Sequence, residues 1–230
     1  MIVRAAVLPN PPLLVPELVG GALAETEPLR TACLRAARML AEASPDWIAV
    51  AHGPADRVEP DAVGTFRGFG VDVTVSLAEG AAGVSDPELP LPALVAGWLR
   101  EQAGARRVTV ELVADTPAAL VDRLVAGQEP IGLLVLGDGS NRHGQRAPGY
   151  ADERSAGFDA GVADALGAGD LVALLDVDPE LAAQLNAHGL TAWRVLAFAA
   201  RASGRRWRSE LLYSDAPFGV GYHVAVWDPA

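Results

Sequence analysis

Short runs of β-branched and aliphatic residues alternate along this chain with longer Ala/Leu/Arg stretches whose apolar positions recur every three or four residues. Short apolar runs suit buried strands, and the longer period suits helices that hide one face. The pattern predicts strands at Ile2–Leu8, Trp47–Ala51, Val71–Ser76, Val108–Val113 and Ile131–Gly137. Between them it predicts a helix over Glu25–Glu42, with Leu29, Cys33, Ala36 and Leu40 on one stripe, and another over Leu91–Ala103. A third covers Thr116–Ala126, with Thr116 as N-cap and Pro117 in the first turn. Further helices are expected at Ala156–Leu166, Pro179–Asn186 and Ala192–Ala202, the last stopped by Ser203-Gly204. Trp207–Tyr213 and Gly221–Trp227, separated by SDAPFGV, read as two antiparallel strands.

Strands that alternate with helices imply parallel pairing, with helices on both faces of the sheet. The expected fold class is α/β: a single three-layer α/β/α domain over residues 1–230, with a mostly parallel central sheet and a C-terminal antiparallel hairpin. No internal repeat, low-complexity tract or long linker divides the chain.

Composition narrows the function classes. Half of the 230 residues are hydrophobic, enough for a sizeable core without a disulfide or cofactor to hold it. Eighteen basic against twenty-nine acidic residues give a formal charge of −11, a sign that repels phosphate backbones and anionic lipid, so neither nucleic acid nor a membrane is expected as a partner. The N-terminal stretch is interrupted by Asn10, Pro11, Pro12, Pro16 and Glu17, which reads as a strand and loop rather than a signal sequence. No run approaches the roughly twenty apolar residues of a membrane span. The lone Cys33, on an apolar helical stripe, reads as a buried thiol, and a cytoplasmic location is expected.

In open α/β sheets, ligands bind beyond the carboxyl ends of strands, where loops converge and helix N-termini offer free N–H groups. Three segments qualify: LPNPPLLVPE, AHGPADRVE and GDGSNRHGQRAPGYADE. They supply Asn10 and Pro11, then His52, then Asp138, Ser140, His143, Tyr150 and Asp152. His143, in a glycine-rich turn, is the candidate for an exposed, titrating imidazole. Asp138 and Ser140 flank Gly139 either as its catalytic partners or as caps for local backbone donors. Asp152 and Glu153 suit the start of a helix. Ser140 and His143, with Asp138 or Asp152 as orienting acid, also have the residue types of a metal-free hydrolase. His188 and His223 lack the paired spacing of a helical zinc site, and no cysteine cluster exists, which argues against structural zinc. There is no Gly-x-Ser-x-Gly elbow, no phosphate-binding P-loop and no Gly-x-Gly-x-x-Gly after the first strand.

The order of these pieces resembles the LigB-type catalytic subunit of class III extradiol ring-cleavage dioxygenases, and most closely uncharacterised actinobacterial members of that superfamily. The residues that carry the likeness are PPLLVPE at 11–17, PDWIAVAHGP at 45–54, LLVLGDGSNRHG at 133–144, Phe158-Asp159, Ala168-Gly169-Asp170 and Ala192-Trp193, with APGY and DAPFGVGY. The resemblance implies a non-haem Fe(II) held by two histidines and a glutamate, with a further histidine as acid/base beside a catechol-like substrate. Carried across, the first iron histidine falls on Asn10, the second on His52, the glutamate on Gly189 and the acid/base histidine on His143. His188, beside Gly189, or Glu17 would have to supply a replacement ligand.

The resulting expectation is a superfamily member with a degenerate iron site. In it His143, Ser140 and Asp138 do the chemistry, Asn10, Pro11, Tyr150 and Asp152 line a pocket for a small aromatic or other small-molecule ligand, and His52 and His188 face the metal. Fe(II) or another divalent metal and no metal at all are equally compatible with this ligand count. The alternative is an active ring-opening oxygenase with altered ligands. A homodimer would find an apolar surface on the C-terminal hairpin at Trp207, Phe218 and Trp227, aromatics that core packing explains equally well.

Overall fold

The computed structural model describes residues 1–20, 23–145 and 147–230. Nine strands follow in chain order: β1 (Ile2–Leu8), β2 (Asp46–His52), β3 (Asp56–Val58), β4 (Val63–Thr65), β5 (Thr74–Ser76), β6 (Arg107–Val113), β7 (Ile131–Leu136), β8 (Trp207–Asp215) and β9 (Tyr222–Pro229). Seven of them form one sheet in the order β3-β6-β2-β7-β1-β9-β8. The inner strands β6, β2, β7 and β1 are parallel, while β3 at one edge and the β9–β8 pair at the other run antiparallel.

The helices are α1 (Leu23–Ala43), α2 (Leu91–Ala103), α3 (Ala118–Ala126), α4 (Arg154–Ala168), α5 (Leu171–Asp176), α6 (Pro179–Gln184) and α7 (Leu190–Ala202). Two cores result, one on each face of the sheet. Cys33 and Leu40 of α1 and Leu94 and Trp98 of α2 pack with Ala6, Leu8, Ala49, Ala51, Leu134 and Leu136. Leu120 of α3, Leu166 of α4, Leu174 of α5 and Trp193 of α7 pack with Val7, Val50, Leu133 and Val135. Alternate residues of one strand thus feed opposite cores, as the two-residue period of a pleated strand requires. This is the α/β fold with a mostly parallel sheet and a C-terminal antiparallel pair.

Several local expectations change. The apolar run at 71–76 shortens to β5 and leaves the main sheet to pair with β4, because Phe66 N–H bonds Val73 O and Asp72 accepts from Thr65 Oγ1, closing the chain on itself. Thr116 is not an N-cap: α3 begins at Ala118, and no side chain caps its start. The three-residue strands β3 and β4 are too short to show a period. Helix α5 was not expected, although Asp170 marks it by accepting from the amides of Val172 and Ala173 at 3.0 Å. The hairpin aromatics are occupied within the chain: Trp227 is fully buried with Trp207 6.5 Å away, and Phe218 packs on the α1/α2 side. Among the described residues, no helix is long and apolar enough to cross a membrane.

Candidate functional site

Strand register sets where each candidate side chain goes. Leu8, Ala51 and Leu136 stand level on β1, β2 and β7, and all three face the α1/α2 core. One residue further on, the pleat turns His52 and Gly137 toward the α7 side, and another step turns Asp138 back. The loop candidates therefore divide among three places instead of meeting in one.

The first place is where Asp138 meets Asn10. The Asn10 N–H donates to Asp138 Oδ1 at 2.9 Å. Desolvation pushes the Asp138 carboxyl up to about 6, and the Asn10 amide only partly offsets it. The Asp138 charge in turn helps raise the Tyr222 phenol, which burial raises most.

A second place is a polar cluster between the β7–α4 loop, α4 and the start of β9. Asp159 of α4 accepts from the Ser140 amide, from His143 Nε2 at 2.5 Å and from His223 Nε2 at 3.2 Å. His223 Nδ1 lies 3.0 Å from Ser214 Oγ. Two glycines make room for the carboxylate, since a Cβ at Gly139 or at Gly221 would lie 2.2 Å from an Asp159 oxygen. The same two segments are tied by Gly139 N to Gly221 O and Gly221 N to Ser140 O, both 2.7 Å.

The structure places five of the predicted site residues differently from the sequence expectation. Ser140 is not available as a nucleophile: it is fully buried, and its hydroxyl donates to Leu185 O at 3.0 Å and meets Ser155 Oγ at 2.9 Å. His143 is not a freely exposed imidazole, because its ring is 18% exposed and tied to a carboxylate that is 7% exposed. Asp152 serves α4, bonding the Arg154 amide and pairing with its guanidinium, which holds the carboxyl down at about 2. Tyr150 is 91% exposed, and Pro11 is buried beneath a 3-10 turn whose Leu14 N–H it accepts, so neither reaches a shared pocket.

The third place is a cavity of about 430 Å³ at the carboxyl ends of β2 and β6, lined by His52, Asp115, Thr116, His188, Thr191 and Arg194 among others. The His52 and His188 rings stack at 5.6 Å between centroids with an interplanar angle of 16°. Thr191 Oγ1 lies 3.4 Å from His52 Nδ1. Packing on one side and the nearby His52 lower the pKa of His188, keeping it neutral more readily than an ordinary histidine. His143, Asn10 and Asp138 are not part of this lining.

The side chains present do not match the iron set that the resemblance implies. His52 and His188 do come together, but Asn10 does not line the cavity and Glu17 is exposed on a turn outside it. Gly189 has no side chain and no room for one, since a Cβ there would lie 2.2 Å from the Trp193 ring. Among the described residues, no group of three or more His, Cys, Asp or Glu could hold a metal ion.

Asp159, Thr116, Thr191 and Arg194 were absent from the sequence-based candidates. Asp159 was legible in principle: with Ser155, Val162 and Leu166 it lies on the buried stripe of α4, and an acid on an apolar stripe must have partners. Arg194 and the threonines carry no local signal; only the packing of α7 against the ends of β2 and β6 brings them to one cavity.

No family model and no curated protein matches the sequence. Among solved structures, the crystal structure of an uncharacterized protein from Escherichia coli K12 covers 98% of this chain and 99% of its own at 12% identity, with a TM-score of 0.44.

Proposed function

We propose that this chain is a small-molecule-binding member of the class III extradiol dioxygenase superfamily with a degenerate iron site, and that its ligand occupies the cavity of His52 and His188. One observation carries the reading. The cavity lies where open α/β sheets bind ligands, and two stacked imidazoles face it without a third ligand that would fix iron in a facial triad. A concave site of this volume with a few convergent polar groups suits a small organic molecule. The altered-ligand oxygenase is the second reading, and the proximity of two imidazoles favours it.

Two measurements separate these readings. The first is metal analysis of protein purified without chelator, followed by anaerobic Fe(II) addition and a catechol ring-opening assay. The second is a titration with a chemically broad fragment library, followed through the ring resonances of His52 and His188. Fragment-induced shifts without stoichiometric iron or ring-opened product are expected. Stoichiometric iron with product would establish the oxygenase instead, and a library that leaves both imidazoles unmoved would remove the cavity as a binding site.

A further inference from the structure

The cavity lining includes a cation, Arg194, that forms no ion pair among the described residues. Arg194, in the second turn of α7, donates through Nη2 to Leu175 O at 3.2 Å and to Val177 O at 2.8 Å, while its Nε is buried without a partner. Among the described residues, no carboxylate lies within ion-pair distance of it. Arg194 lines the cavity with the two imidazoles, and two helix starts reach the same space: Leu190 and Thr191 open α7, and Thr116 stands just ahead of α3. A helix N-terminus carries unpaired N–H groups and the positive end of the macrodipole, so each adds to the field of the guanidinium. Asp115, exposed, is the only carboxylate of the lining, and its charge disfavours a second negative charge on any occupant.

An apolar groove adjoins this cationic end. Thr116 also lines a second depression of about 270 Å³ between α3 and α7, walled by Ala118, Val121, Phe198 and Ala202, with the oppositely charged Asp122 and Arg201 also in its lining. The Arg201 guanidinium sits 5.0 Å over the Phe198 ring at its side. The two spaces together have a polar, positively biased end and an apolar end.

We propose that the site binds a monoanionic organic acid, a carboxylate on an unbranched apolar tail, with its head beside Arg194 and the imidazole pair and its tail in the groove between α3 and α7. This assignment rests on the cavity being the binding place and adds the chemical class of the ligand. The carboxylate meets Arg194 through Nη1, since Nη2 is held by Leu175 O and Val177 O and Nε is buried, and the threonine hydroxyls complete its hydrogen bonds. Of the polar groups facing the head, Arg194 attracts the carboxylate and Asp115 opposes it, while His52 and His188 flank it with their rings.

The test is calorimetric titration of the full chain with butyrate, hexanoate, octanoate, octylamine and octan-1-ol, read alongside the ring resonances of His52 and His188. Affinity should tighten by about threefold for each methylene that enters the groove. Octanoate should exceed octylamine and octanol by about tenfold or more, one ionic contact in a partly enclosed site. Ala118→Glu changes an exposed alanine at the groove mouth. An acid in the first turn of α3 favours the helix yet repels a carboxylate, so this variant should keep its Tm and lose about tenfold in octanoate affinity. Arg194→Gln should lose at least as much.

Octylamine or octanol binding as tightly as octanoate while shifting the imidazoles would overturn the acid assignment and leave the cavity reading standing. Octanoate binding unaffected by Ala118→Glu, or no tighter than butyrate, would overturn the placement of the tail. Absence of any carboxylate binding would overturn the assignment outright, and the fragment titration would then decide whether the cavity binds anything.

Discussion

Asp159 on α4 and His143 in the β7–α4 loop are joined by a 2.5 Å hydrogen bond between Oδ2 and Nε2, and the other oxygen of the same carboxylate stands 3.2 Å from His223 Nε2. An ionised carboxylate only accepts, so each neutral ring must present Nε2–H to it. The tautomer of His223 then leaves Nδ1 to accept from Ser214, 3.0 Å away. One buried side chain thereby orients two imidazoles and clasps the glycine-rich loop to the C-terminal hairpin.

Replacing Asp159 tests that clasp. Asp159→Asn retains an acceptor for one ring but turns an amide N–H toward the other, and should cost about 1–3 kcal/mol in urea unfolding. Asp159→Ala leaves two rings and the Ser140 amide unpaired and should cost more. A loss below about 0.5 kcal/mol for the alanine variant, the range of ordinary surface substitutions, would show that the cluster does not hold the loop.

Asp138 makes stability depend on pH in the direction opposite to a salt-bridged acid. Its folded pKa of about 6 lies above the ordinary 3.8, so the native state holds a proton that the unfolded chain has lost. Stability should therefore fall as pH rises from about 4 to 6, and the whole cost persists above that window. Asp138→Asn keeps an acceptor for the Asn10 amide without the charge. It should exceed the parent protein by about 1–3 kcal/mol at pH 8, with the gap closing toward pH 4. Equal stabilities at pH 8 would contradict the raised pKa.

The His188 ring should titrate below 6.5 by NMR, because packing and the neighbouring His52 both disfavour its charged form. A histidine with a lowered folded pKa contributes stability that is lost as pH falls below the ordinary value, since the unfolded chain then binds the extra proton. His52→Gln removes one of the two causes and should move the His188 midpoint upward. A midpoint that stays still would mean that the two rings do not sense each other's charge.

Gly189→Glu, the residue that the iron set of the resemblance would place there, should fail as a repair. Its Cβ would lie 2.2 Å from the Trp193 ring, and Trp193 is fully buried. Overpacking of this kind costs about 3 kcal/mol, a fall in Tm of about 10 °C in a chain of this size. No gain of iron is expected by metal analysis. A variant of parental Tm that binds iron stoichiometrically would reverse this account of the site.

Cys33 should be silent toward thiol reagents in the folded protein and react only on unfolding. It is fully buried on α1, and desolvation raises its thiol far above the ordinary range, so almost no thiolate forms at neutral pH. Rapid stoichiometric labelling under native conditions would show that α1 opens locally.

Much of the architecture can be read along the chain because the pleat and the helix impose their own periods. Ile2–Leu8 and Leu91–Ala103 appear with the expected bounds, and Cys33 lies in the core that its stripe predicts. Hydrophobic burial is local in its signal, since each segment carries the pattern of its own buried face. The short pairings β3 and β4 escape because three residues cannot display a period.

The site obeys a different logic. Asn10, Asp138 and His143 sit in loops that follow the carboxyl ends of parallel strands and His52 ends one such strand, and that much the sequence determines by itself. Whether they share a cavity depends on strand register and on the side of the sheet each residue faces, quantities no single segment encodes. Only the tertiary structure turns Asp138 away from His52, buries Ser140 under Leu185, binds His143 to Asp159, and draws His188 and Arg194 from α7 and its approach to the end of β2. Contacts between residues more than a hundred positions apart are made by the packing of the layers, and chemistry that needs several such residues at one point is decided there.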